Sequence, residues 1–335
     1  MVENTLLITA SSFLAFLSFT AVIFNTVAIL ALRRTLSLSK NFKILLLNLA
    51  VADAGVGLIA QPLNLAFLIA DIENHNLKYR WEINKIYQST NNLLCVASFL
   101  GVTAVAADRF LAVYLHLRYE ELVTNKRVAY AVTAVWTVSV IIALIRVWKH
   151  NIAFGIIATF LIICLIVIAL FYLKLHLIVK YHTEQITAQQ IQCRENNEEL
   201  QSLNAERQKR TAVMIFYVYL ALLICYLPNT ILHTIYSLGI DSPPIFNVVC
   251  DIIFVLNSSL NPLIYCWRMK HIRLAAKAIL GFWDPNWRKI SWKPYTRGKM
   301  FSWAERIKNC YFFYIKIISL GAFLNVQWKM SLSLM

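Results

Sequence analysis

Seven stretches of this chain are each apolar for long enough to cross a bilayer, which takes about 20 residues of helix. They run roughly over 6–32, 42–69, 83–114, 128–148, 152–180, 207–238 and 244–267. In hydrocarbon every backbone N–H and C=O must be satisfied within the protein, which leaves helices or closed barrels. Only 8 glycines and 7 prolines occur among 335 residues, so the stretches predict long helices. The composition agrees: 59% of residues are apolar and 15% charged, against about 25% charged in soluble proteins. The fold class expected is an all-α membrane protein, a seven-transmembrane-helix bundle over 1–281 that ends in a short amphipathic helix. Residues 282–335 form a tail, read as an interfacial segment because its apolar run 310–326 is short for a span. The first stretch lacks a small-residue cleavage site after a short apolar core, so it reads as a retained span.

Lysine and arginine orient the bundle, because they concentrate on the cytoplasmic side. Arg33, Arg34, Lys40 and Lys43 lie between spans 1 and 2. Arg118, Lys126 and Arg127 follow span 3, and Lys180, Arg194, Arg207, Lys209 and Arg210 follow span 5. Further basic residues run from Arg268 to Lys329. The other side carries only Lys78, Arg80, Lys85, Arg146 and Lys149. The N-terminus is therefore expected outside, the C-terminus in the cytoplasm and the chain in the plasma membrane. The net charge of +15 fits an inner face against anionic lipid of the bilayer and a partner protein. Nucleic-acid binding is excluded, since no soluble basic domain is present. No outer segment holds a cysteine, so no extracellular disulfide framework is expected. Between Gly155 and Pro228 there is neither glycine nor proline, so spans 5 and 6 are expected to continue as helices beyond the membrane.

The informative residues are the polar ones inside the spans, because such groups are costly in a membrane and mark function. Asp53 sits in mid-span 2. Asn91, Cys95, Ser98 and Arg109 form one stripe of span 3, at helical spacing. Tyr226, Asn229 and His233 follow one another in span 6, and Asn247, Asp251, Ser258, Asn261 and Tyr265 in span 7. Polar residues in spans also serve simply to bond one helix to another, for about 0.6–2 kcal/mol each. A mid-membrane carboxylate within reach of two asparagines and a serine asks for more, a cation or a proton. Pro262 poses a related question. It stands inside an apolar helix, where proline costs about 3 kcal/mol.

These residues resemble the rhodopsin-like (class A) G-protein-coupled receptors. The carriers are Asn25, "LAVAD" ending at Asp53, "ADRF" at 107–110, Trp136, "CYLP" at 225–228 and "NPLIY" at 261–265, in order and each in its expected span. In look the chain is most similar to the melanocortin, adenosine and cannabinoid receptor cluster. The resemblance implies a receptor, not an enzyme, that binds an extracellular small molecule or peptide ligand and activates heterotrimeric G proteins, with arrestin as a further partner. No cofactor is required. Sodium is the allosteric ion, held by Asp53, Ser98, Asn257 and Asn261 in the inactive state. Pro262 and Pro228 would bend their helices, freeing the Ser258 carbonyl and letting Tyr265 swing. Arg109, paired with Asp108 at rest, would turn to the G protein with Tyr172 and Tyr265 as partners, and Tyr226 stands where the family's helix-6 tryptophan does. The ligand pocket would draw on Asn91, Asn92, Cys95, Asn229, Thr230, His233, Asn247 and Asp251. Asn91, in place of an aspartate, disfavours a monoamine, and Val255, in place of a lysine, a visual pigment.

Departures from the family accompany the match. Asn84 replaces the outer cysteine of helix 3, Phe110 the tyrosine after the arginine and Cys164 a common proline of helix 5. Gln208 replaces an acidic partner of Arg109, so a loose resting lock and some ligand-independent signalling are expected. A receptor-fold decoy without signalling is the rival reading raised by Phe110, Tyr226 and the tail. A transporter or channel would need paired repeats, and the sequence shows none.

Overall fold

A computed structural model describes residues 2–35, 38–73, 75–115, 118–148, 150–192 and 219–281. These residues fold into helices throughout. α1 (Val2–Arg34) is followed by α2 (Lys40–Gly55), a π-helical turn (Val56–Ala60) and α3 (Gln61–Ile72), which together make the second span. Next come α4 (Leu77–Tyr114), the single turn α5 (Tyr119–Leu122), α6 (Asn125–Trp148) and α7 (His150–Gln192). α8 (Tyr219–Ser237), α9 (Pro244–Arg268) and α10 (Lys270–Gly281) complete the order. Seven of the helices are long and apolar enough to cross a membrane, as the apolar stretches predict. Residues 193–218, with Gln208, Lys209 and Arg210, lie outside the described residues, as does the tail from 282.

The bundle is organised around α4, which packs on α2, α3, α6 and α7, while α1 closes the ring against α2, α9 and α10. Phe42, Leu46, Leu49, Phe99, Val102, Leu222 and Ile168 fill the interior, all at most 1% exposed. α10 is the short amphipathic helix. Ile272, Ala276 and Ile279, at helical spacing, are buried, and His271 on the other side is exposed.

Helix ends extend past the apolar stretches where capping permits. α4 begins at Leu77 rather than near residue 83, because the Asn76 side chain accepts from the Lys78 N–H at 2.8 Å. That side chain satisfies one of the four unpaired amides at a helix start. α7 runs on to Gln192, consistent with the long stretch free of glycine and proline.

The π turn in the second span was not expected from the sequence, and Pro62 limits how its bonding can continue. The Val56 carbonyl accepts from the Gln61 N–H, an i→i+5 bond. Continued by one residue, the pattern would pair Gly57 with Pro62, which has no N–H to give. The Ser18 hydroxyl of α1 donates to that Gly57 carbonyl instead, at 2.6 Å. α9 solves the same problem the same way. Pro262 leaves the Ser258 carbonyl without its i+4 donor, and Asn25 Nδ2 of α1 donates to it at 2.9 Å. Ser18 and Asn25 are two turns apart, on one face of α1.

The close approach of α1 to the π turn requires glycine. A Cβ added at Gly57 would lie 2.7 Å from the Ser18 carbonyl oxygen and 3.0 Å from Val22 Cγ2. At Gly101 it would meet Asn48 Nδ2 and Leu49 no closer than 3.4 Å. Gly57→Ala should therefore destabilise by about 1–3 kcal/mol through overpacking. Gly101→Ala should be neutral or stabilising, since alanine is the better helix former by about 1 kcal/mol. Thermal unfolding of the two purified variants checks this contrast; equal shifts would contradict it.

Candidate functional site

Midway through the bundle, Asp53 of α2 is 0% exposed. Both of its oxygens are held. Ser98 Oγ of α4 donates to Oδ1 at 2.6 Å, and Asn261 Nδ2 of α9 donates to Oδ2 at 2.8 Å. Three spans thus converge on one carboxylate. Asn257, one turn before Asn261, does not bond it. Its Nδ2 reaches the Tyr226 hydroxyl of α8 at 3.4 Å, and among the described residues its Oδ1 has no partner. The Tyr226 ring is wedged between Phe99 and Phe254, with centroids 4.6 and 5.1 Å away, and its hydroxyl donates weakly to the Cys95 carbonyl at 3.5 Å. Around this centre, Thr20 and Ser259 are 3.1 Å apart, and Trp136 Nε1 donates to Asn48 Oδ1 at 2.8 Å. No cluster of three or more His, Cys, Asp or Glu side chains suited to a metal occurs among the described residues. An ion here would be held by one carboxylate and neutral oxygens.

At the end of α4, Arg109 is bonded to its neighbour. Its Nε and Nη2 donate to Asp108 Oδ2 at 3.0 and 2.5 Å. The guanidinium also lies 3.7 Å above the Phe42 ring of α2. Tyr119 of α5, a residue the sequence reading missed, donates its hydroxyl to Asp108 Oδ1 at 2.6 Å. Burial, then the bond to Asp108, hold the Tyr119 phenol well above its ordinary pKa. It therefore stays a donor at physiological pH. Phe110 stacks on Tyr114 and Phe171. Tyr172 stacks on Tyr219 at 6.3 Å. Tyr265 is 3% exposed, and its hydroxyl has no partner among the described residues. Among the described residues no hydrogen bond joins either tyrosine to Arg109. Pro228 lies within α8 and Pro262 within α9.

Toward the opposite end, a narrow cleft of about 10 Å³, room for a single water, is lined by Asn92, Cys95, Tyr226, Asn229 and His233, with Ile157, Leu161 and Phe254 as its apolar walls. Five sequence candidates thus meet in one place. Asn91 stands beside them and accepts from Cys95 Sγ at 3.4 Å. Thr230 is turned to its own helix, with Oγ1 on the Tyr226 carbonyl at 2.8 Å. Asn247 accepts from Ser242 instead, and Asp251 is half-buried without lining the cleft. The sequence counted Arg146 only as an outer-side charge; it is buried at the end of α6 beside this region.

The chain has counterparts among known proteins. The model of the 7 transmembrane receptor (rhodopsin family) matches residues 24–265. The histamine H2 receptor of Canis lupus familiaris is 33% identical over 147 residues, covering 42% of this chain and 38% of that receptor. Melanocortin receptor 4 of Danio rerio is 25% identical over 297 residues, 83% of this chain and 85% of that protein. The 5-hydroxytryptamine receptor 1E of Homo sapiens is 27% identical over 124 residues, covering 36% of this chain and 32% of that receptor. The matches to the histamine and 5-hydroxytryptamine receptors therefore span less than half of those proteins.

Two serines with similar burial but different partners test the site's electrostatics. Ser98→Ala removes a donor from a buried carboxylate, a bond to a charged group of about 1.5–3 kcal/mol. Ser259→Ala removes only neutral contacts, to Thr20 at 3.1 Å and, weakly, to the Leu17 carbonyl at 3.4 Å, together about 0.5–1.5 kcal/mol. The unfolding temperature should fall further for Ser98→Ala; the reverse order would show that Asp53 does not depend on Ser98.

Proposed function

Because the chain belongs to the rhodopsin family of seven-transmembrane receptors, we propose that it binds a small molecule or peptide at the cleft end of the bundle and activates a heterotrimeric G protein at the Arg109 end. Membership makes it a multi-pass membrane protein that receives and transduces a signal, and not an enzyme. The finer statements are our reading. The basic residues at the Arg109 end of the helices support a cytoplasmic inner face and an outside N-terminus, in the plasma membrane. Arrestin would share that inner face.

The observation that carries the reading is the paired Asp108–Arg109, in a chain whose cleft lies toward the other end of the same helix, α4. An arginine whose carboxylate partner also accepts from Tyr119 is restrained in this conformation and becomes available to a partner protein when the pair opens. Tyr172 and Tyr265, apart from Arg109 here, are the groups that would meet it in the open state. Gln208, outside the described residues, supplies no carboxylate to reinforce the pair.

Sodium fits the residues around Asp53. A carboxylate with neutral oxygens is a hard donor set suited to a hard cation, and the Asn257 Oδ1 atom is buried with no partner among the described residues. Asp53, Ser98 and Asn257 would supply oxygens. Asn261, which faces the carboxylate with Nδ2, would hold it in place. By this reading the ion ties α2, α4 and α9 together and favours the resting state.

Nucleotide exchange on purified heterotrimeric G proteins, with the receptor in lipid vesicles, tests the function. The wild type should raise exchange above empty vesicles, Arg109→Ala should abolish the increase, and Tyr119→Phe should raise the basal rate. Losing about 1 kcal/mol from the resting pair corresponds to roughly five-fold in the open population. Exchange equal to empty vesicles for all three proteins would refute receptor signalling in favour of a decoy.

A further inference from the structure

The planar guanidinium of Arg109 is used on both its edge and its face. The edge, through Nε and Nη2, donates to Asp108 Oδ2. The face lies over Phe42 of α2, with the guanidinium carbon 3.7 Å from the ring centroid. A cation within about 6 Å of an aromatic centroid is attracted to the ring face, more strongly where water is excluded. Much of the water is excluded here, since Phe42 is 1% exposed and the Arg109 side chain 21%. A second set of contacts fixes where the ring sits. Asn41, the residue before Phe42, donates from Nδ2 to the Val123 carbonyl. Val123 ends α5, the turn that begins with Tyr119, and the Tyr119 hydroxyl donates to Asp108 Oδ1. Arg127 of α6 secures the same turn by donating to the Leu122 carbonyl. The contacts close a circuit from Phe42 through Arg109, Asp108, Tyr119, Val123 and Asn41, which returns to Phe42 along the chain. Arg109 cannot swing out of it without losing the ring contact as well as the carboxylate.

We propose that Phe42 is a positioning residue of the switch, whose ring face holds Arg109 in the resting conformation. The ring takes no hydrogen-bond donor from the guanidinium, so its restraint adds to that of Asp108 rather than competing with it. It supplies from α2 a restraint that Gln208, a neutral residue, does not supply as a carboxylate would. The proposal rests on the receptor reading for its consequence, a basal signal limited by this contact; the contact itself is read without it.

The test has two arms, both on the purified full chain. In lipid vesicles, nucleotide exchange on heterotrimeric G proteins reads the basal signal. Phe42→Leu keeps an apolar side chain, removes the ring and should raise the basal rate roughly five- to thirty-fold. Pentafluorophenylalanine in place of Phe42 keeps the ring and inverts the charge of its face, so it should raise the rate as well. A ring needed only for packing would leave the fluorinated protein at the wild-type rate. That result, or a Phe42→Leu rate no higher than wild type, would overturn the proposal. In detergent, without G protein, the unfolding temperatures of wild type, Phe42→Leu, Arg109→Gln and the double variant form a cycle. Phe42→Leu should lower the unfolding temperature by about 2–4 °C less in the Arg109→Gln background than in the wild type. Additive losses would overturn the proposal whatever the exchange rates. The two claims fail separately. Wild-type exchange with an additive cycle removes the role of Phe42 and leaves the receptor reading. Exchange equal to empty vesicles for every protein, with a non-additive cycle, removes the receptor reading and leaves the Phe42–Arg109 restraint.

Discussion

A carboxylate with no solvent exposure in the middle of a membrane bundle has to be held on every side, and the rest of the structure follows from how Asp53 is held. Removing a charged group from water carries an effective penalty of several kcal/mol. Ser98 and Asn261 offset it by donating to one oxygen each, and in doing so fix α4 and α9 against α2. The bonds leave little freedom in register, since a slip of one residue would turn either donor to another face of its helix. The neighbouring polar pairs, Trp136 with Asn48 and Thr20 with Ser259, secure α6 and α1 to the same layer. The centre of the molecule is therefore a polar layer within an apolar bundle.

Two prolines adjoin this layer, and each deprives a carbonyl of its donor. Both carbonyls are satisfied from one face of α1, by Ser18 and Asn25. Bonds of this kind keep a distorted helix soluble in lipid without straightening it. A side-chain bond that replaces a backbone bond is also easier to break and remake, and in α9 it lies one turn before Pro262, which Asn261 and Tyr265 flank. Movement there would alter the Asp53 contacts and the Tyr265 position together. The Tyr226 ring, in contact with Phe99 of α4 and Phe254 of α9, lines the cleft and, through its hydroxyl, reaches Asn257 beside this layer.

Much of this was legible in the sequence. Apolar length gave the seven spans, and helical spacing put Asp53, Ser98 and Asn261 on facing stripes, because period and polarity are local properties of a chain. Asn25 belonged to the family resemblance, but its donation to Ser258 depends on how α1 meets α9, 233 residues later. The π turn at Val56–Ala60 was hidden because Pro62 signals only that a bond is missing, not how the backbone redistributes the rest. Tyr119 was hidden for another reason. A tyrosine after the third span is unremarkable until α5 folds it onto Asp108. Thr230 looked like a pocket residue by spacing, yet its hydroxyl is taken by the turn before it, a habit of threonine in helices. Arg146 was counted as surface charge, since nothing local says whether an arginine at a helix end turns outward or in.

The central claim is that Asp53 and its neighbours form a cation-dependent lock on the resting bundle. Its most direct test is a sodium titration of the unfolding temperature at constant ionic strength, with choline as the replacing cation, on the wild type and Asp53→Asn. The account predicts a saturable rise of several degrees with sodium in the wild type, following the stabilisation expected from binding to the folded state alone, and no sodium-specific rise in Asp53→Asn. The same rise in both proteins, or none in either, would contradict it.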